Sequence, residues 1–161
     1  MSISAIATGI KTTLEAVGNV GLVYDYQPVP QNDWSTFVNK FSVVDSGARR
    51  INAWTVQYTG EQREKISIGL GSTLGERGIN FVIRGHYSWN DGASDVAFRN
   101  LVEEVANALD AAESLQGTAI RSRLVDVILP GDASPIMLGD VMCHYVEIRL
   151  QAIAQVTLAT A

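Results

Sequence analysis

The chain has 161 residues, 47% of them hydrophobic, which suits one domain burying about 68–70% of its unfolded surface. Lys and Arg number 12 against 17 Asp and Glu, and the formal net charge of −5 sets a field that repels phosphate and excludes tight nucleic-acid binding as the main activity. A lone cysteine, Cys143, rules out an internal disulfide and a multi-cysteine metal centre, and with neither a leader pattern nor an apolar run of about 18 residues the sequence predicts a soluble, unexported chain with no membrane segment.

Ile3, Ile6, Ile10, Leu14 and Val17 form a narrow stripe that predicts a helix from about Ser2 to Val17, ended by Gly18-Asn19. Gly9 weakens it slightly. The segment VGLVYDY, Val20 to Tyr26, is β-branched and aromatic and reads as a strand stopped by Pro28 and Pro30. Asn32-Asp33 then caps a short helix carrying Trp34, Phe37, Val38 and Phe41, a stripe better suited to docking on a core than to boxing a ligand. Arg49 to Thr59 alternates, with Trp54, Val56 and Tyr58 on one face of a second strand.

Gly60 to Gly78, GEQREKISIGLGSTLGERG, is long for a hairpin connection, because structureless loops beyond about 12–15 residues are usually functional or disordered. Two readings stay open for it. One is a protruding arm that orders against a partner; the other is that the flanking strands simply extend into the segment.

The next stretch organises the chain. Ile79, Phe81, Ile83, Tyr87 and Trp89 share one face of a strand, Asn80, Arg84, His86 and Ser88 the other, and Gly85 leaves room for a kink or a close neighbour. Asn90-Asp91-Gly92 is a turn, and Ser94 reads as the N-cap of a helix with Asp95 in its first turn. Phe98, Leu101, Val102, Val105 and Leu109 then recur at helical spacing; each gains about 1.5–3 kcal/mol on burial, against a backbone ordering cost of about 1–2 kcal/mol per residue. Such a helix needs a sheet beneath it.

Gln116-Gly117 ends that helix, Arg121 to Leu129 resumes strand character, and Pro130-Gly131-Asp132 breaks it. The last segment is the longest strand. Met142, His144, Val146, Ile148 and Leu150 form one row, continued by Ala152, Ala154, Val156 and Leu158, while Cys143, Tyr145, Glu147, Arg149 and Gln151 form the other. No repeat or linker divides the chain, so residues 1–161 are one α+β domain: a mostly antiparallel sheet, helices packed on one face, and a protruding long loop, residues 60–78, between two central strands.

Chemistry finds little support. His86 with Asp91 is one candidate acid–base pair; His144 with Cys143 and Glu147 is another. Cys143 and His144 are strand neighbours that point to opposite faces, His144 belongs to an apolar row, and His86 on its polar row is exposed by default. Two separated histidines do not make a zinc site, and the glycines at Gly69, Gly71 and Gly75 do not fit a phosphate or dinucleotide fingerprint. The sequence therefore predicts no enzyme, metal or cofactor. Arg121 and Arg123 on one strand, with Arg49 and Arg50 on another, are too few to neutralise a nucleic-acid backbone and suit ion pairs at subunit contacts.

The N-terminal helix leading to VGLVYDY, the aromatic DWSTFVNKF, INAWTV, the block FVIRGHYSWNDGASDVAFRNLVEEVANAL and the closing CHYVEIRL together resemble the tail-terminator, or tail-completion, proteins of long-tailed bacteriophages. That resemblance implies a structural virion protein at the head-proximal end of the tail, assembled in the host cytoplasm. It implies a homohexameric ring on the last ring of tail tube protein, which halts polymerisation and offers a surface to the head-completion or stopper protein. DNA would only pass through the lumen. A head-side stopper or head-tail connector role remains the alternative within the same particle, and a small-ligand-binding module, with a pocket between the aromatic short helix and the sheet, the alternative of another class. Within the ring reading, Ile66, Ile68, Leu70 and Leu74 serve as apolar anchors of the arm, with Arg63 and Lys65 orienting it on a partner, and Tyr145, Glu147 and Arg149 face a neighbouring subunit.

Overall fold

A computed structural model describes residues 2–28, 34–45, 47–67, 73–90, 92–129 and 135–158. Ser2 caps the first helix, α1 (Ile3–Glu15), its Oγ accepting the Ala5 N–H at 3.1 Å, and the helix buries Ile6, Ile10 and Leu14. Gly9 is there for proximity. A Cβ at that position would collide with the Leu115 carbonyl and the Thr118 hydroxyl, so the glycine lets the turn after the long helix lie directly on α1.

The remaining elements are β1 (Leu22–Tyr24), α2 (Trp34–Asn39), β2 (Ser42–Asp45), β3 (Ala48–Ser67), β4 (Thr73–Ser88), α3 (Gly92–Ala111), β5 (Arg121–Ile128), β6 (Ile136–Leu138) and β7 (Val141–Leu158). The strands join in the order β1-β3-β4-β7-β5, with β2 added to β3 and β6 to β7. Among the described residues every pairing is antiparallel except β1 with β3, so the domain is α+β with a mostly antiparallel sheet. Among the described residues, no helix is long and apolar enough to cross a membrane.

Register sorts the side chains onto two faces. On the first, Trp54 and Val56, Ile79, Phe81 and Ile83, and Val146, Ile148 and Leu150 lie side by side across β3, β4 and β7 beneath α1 and α3. The helical stripe Phe98, Leu101, Val102, Val105 and Leu109 is buried against them, as its spacing requires. On the second face, Ile51, Ala53 and Cys143 pack with Phe37 and Phe41, so α2 sits opposite the two long helices. Not all helices share one face. The aromatic spacing of α2 gives it a docking surface but does not say which side of the sheet receives it.

The segment read as a long loop is largely sheet. Residues 60–67 continue β3 and residues 73–78 begin β4, paired from Gly60↔Asn80 to Ser67↔Thr73, while β4 also pairs with the end of β7 as far as Thr73↔Leu158. The strands extend because cross-strand pairs reward them: Glu61 binds Arg77 across the ladder and takes an ion pair from Arg63 at 2.6 Å. A bulge between Tyr58 and Gly60, with Gly60 at φ 148°, swaps the faces of β3, so residues beyond it point opposite to where a strict alternation from Trp54 would put them. The result is a three-stranded ribbon, β3-β4-β7, about 20–26 Å long at roughly 3.3 Å per residue, whose base joins the core through Ala154, opposite Arg77.

Candidate functional site

The ribbon's two long edges are open. Partners of β3 on the side away from β4 stop at Thr55, where β1 ends, and partners of β7 on the side away from β4 stop at Ile153, opposite Arg121 of β5. Among the described residues, nothing pairs with the outer edge of 56–67 or of 154–158, and these edges lie on opposite sides of one ribbon. Unpaired backbone donors and acceptors in a row are a template for another strand.

The expected arm residues fall as follows. Arg63 is exposed on β3, and Ile66 stands in register with Leu74 at the distal end of the hairpin. Lys65 lies on β3 next to Ile66, and Ile68 and Leu70 lie outside the described residues. The second expected set is brought together as one cluster. The Tyr145 hydroxyl donates to Glu147 Oε2 at 3.3 Å, Arg149 donates to Glu147 Oε1 at 3.3 Å and 3.4 Å, and Arg84 adds a contact to Glu147 at 3.4 Å. Glu147 and Arg149 are flanked by β4 and β5 and Tyr145 is paired with β4, so the cluster offers a face to a neighbour. The other arginines have local partners: Arg121 meets Glu76 at 3.9 Å, Arg123 donates to Gln151 at 3.2 Å, and Arg49 donates to Asn39.

The acid–base candidates separate. His86 is buried, 7% exposed, because α2 and β7 cover the second face: its ring lies 5.4 Å from Phe41 and 5.3 Å from Tyr145. The expectation of an exposed histidine fails for that reason. Burial first, and the Arg84 charge second, push its pKa down to about 4, which keeps it neutral. Asp91 lies outside the described residues. Cys143 is fully buried on the α2 side, its thiol pushed up to about 11 by burial, and so is chemically quiet. His144 points to the opposite face, as strand alternation demands.

His144 does take part in a juxtaposition that no sequence spacing revealed. Its Nε2 lies 3.0 Å from Ser94 Oγ and its Nδ1 3.9 Å from Asp95 Oδ1, an outline like that of a hydrolase triad. The surroundings deny it that role. Ser94 is 7% and His144 5% exposed, and the imidazole is stacked 4.4 Å from Trp89 and 5.4 Å from Phe98, so among the described residues both side chains are turned into packing and not toward solvent. The helix begins at Gly92, so Ser94 is inside the first turn, where its Oγ accepts the Asn90 N–H at 3.1 Å. It ties the start of α3 to β7. Ser94→Ala should therefore lower stability by about 1–2 kcal/mol, read as a shift in urea midpoint at unchanged slope; no shift would mean that the contact is incidental.

Among the described residues no group of His, Cys, Asp and Glu has the makings of a metal site. The space between α2 and the sheet, where a ligand pocket was expected, is filled by Phe37, Phe41, Ile51, Ala53 and Cys143. A shallow groove of about 550 Å³ lies instead near the end of α1, between Asn19, Arg50, Asn52 and Glu104. Compared with known proteins, the sequence matches no family model and no curated protein. Among the described residues, the pair of open edges is a feature that the fold itself leaves without a partner.

Proposed function

We propose that this chain is a structural subunit that assembles with copies of itself into a ring, and that the ring is the tail terminator of a long-tailed bacteriophage. The observation that carries the assembly reading is the ribbon, which among the described residues has an unpaired edge on each side, since opposite edges joined head to tail close into a ring of equivalent copies when the rotation between neighbours is a whole fraction of a turn. Nothing in the reading requires catalysis, which suits a molecule whose histidines are buried among aromatic rings. The terminator assignment rests on the sequence resemblance. The ring ends would meet tail tube protein on one side and the head-completion protein on the other, and a net charge of −5 suits a passage through which DNA slides without sticking.

The test is polymerisation of purified tail tube protein with and without the chain, measured as tube length by negative-stain microscopy. Short tubes with extra density at one end are expected, and an unchanged length distribution contradicts the reading. A variant in which Gln62 is joined to Gly78 through an Asn-Gly turn removes most of the ribbon while keeping a favoured hairpin closure. It should unfold cooperatively yet fail to cap tubes. Loss of cooperative folding would place the ribbon in the core instead.

A further inference from the structure

We infer that ring subunits are joined by a parallel β-ladder, in which the open β7 edge of one copy, residues 154–158, pairs with the open β3 edge of the next copy within residues 56–67. This rests on the ring reading above. The direction follows from topology. β3 and β7 are each antiparallel to β4, so they run the same way along the ribbon. A copy rotated about an axis along the strands keeps that direction, and its β3 edge arrives beside β7 as a parallel strand. A two-fold operation instead sets like edges together, β3 on β3 or β7 on β7, and yields a dimer.

Two observations select the head-to-tail joint. It satisfies the backbone of both edges in every copy, whereas a two-fold joint leaves one edge of each copy open. The β7 edge also lacks the features that protect a solitary strand: Ala154, Gln155, Val156, Thr157 and Leu158 include no charge and no proline, and β7 has no bulge against β4 there. The bulge in β3 sits at its base, leaving 60–67 regular and available.

Engineered cysteines test the joint. Gln57, Gln62 and Glu64 lie on the second face of β3 and Gln155 on that of β7, while the native Cys143 is buried and takes no part. Within one copy Glu64 and Gln155 are separated by β4, so their backbones stand about 9–10 Å apart, beyond the reach of a disulfide. The double variants Gln57→Cys, Gln62→Cys or Glu64→Cys, each with Gln155→Cys, are oxidised and run on non-reducing gels, with native mass spectrometry of the same samples. At least one double variant should give a covalent series rising from dimer to hexamer, and the single variants should stay monomeric on the gel. A ring by mass with no cross-link in any pair overturns the ladder and leaves the ring standing. Covalent dimers from single variants overturn it in favour of a two-fold joint. Absence of any oligomer, alone or on tubes, removes ladder and ring together.

Discussion

Replacing Trp54 with alanine should cost the fold about 3–5 kcal/mol, a large part of the 5–15 kcal/mol that holds a typical domain together. Trp54 is 1% exposed at the centre of the core between sheet and helices. Its register partner on β4 is Gly85, and a Cβ there would stand 2.7–2.9 Å from three indole carbons, so the ring lies flat over a position that has no side chain. Tryptophan and glycine are complementary halves of one contact. Gly85→Val should accordingly cost about 1–3 kcal/mol by forcing the ring off its site. Among the described residues Trp54 Nε1 is buried with no hydrogen-bond partner, so Trp54→Phe loses volume but also removes an unsatisfied donor, and should cost only about 1–1.5 kcal/mol. Urea unfolding at constant slope reads all three. A phenylalanine variant as unstable as the alanine variant would show that the indole edge, not the ring over Gly85, carries the contact.

The second large effect is acid sensitivity from His86. The unfolded chain takes up a proton near the ordinary histidine value of about 6.5, whereas the folded chain resists it until about 4. Between those values the unfolded state binds more protons, so stability falls as pH falls, from full strength above about 6.5 to a loss of about 3 kcal/mol once pH is below the folded value. His144 adds to this in the same direction, its pKa lowered by burial against the pull of Asp95. Urea midpoints at about pH 7 and pH 4.5 should separate widely for the natural chain and much less for His86→Phe, which keeps a ring between Phe41 and Tyr145. Equal acid loss in both proteins would assign the effect to other groups.

Much of the fold was legible because burial follows period. Ile6, Ile10 and Leu14 on α1, and the row from Phe98 to Leu109 on α3, are at helical spacing, and Val146 to Ala154 on β7 alternate without interruption. What failed has physical reasons. β2 and β6 are too short, at four and three residues, for alternation to show, and both exist only as additions to longer strands. Glycines and charges made residues 60–67 and 73–78 resemble a loop, while the ladder and the Glu61–Arg77 pair that order them are contacts across the hairpin. Alternation puts His86 on the second face of β4, but its burial depends on α2 crossing to that face, which no local pattern encodes. The Ser94–His144 contact joins positions 50 apart and arises from the pairing of β4 with β7 beside the start of α3. The open edges were invisible for the same reason, since an edge is defined by which strands do not pair.

Native mass spectrometry of the purified chain, alone and then with preformed tail tubes, tests the central claim most directly. A species at six times 17.4 kDa in either condition is the expected result. A chain that stays monomeric in both would contradict the ring.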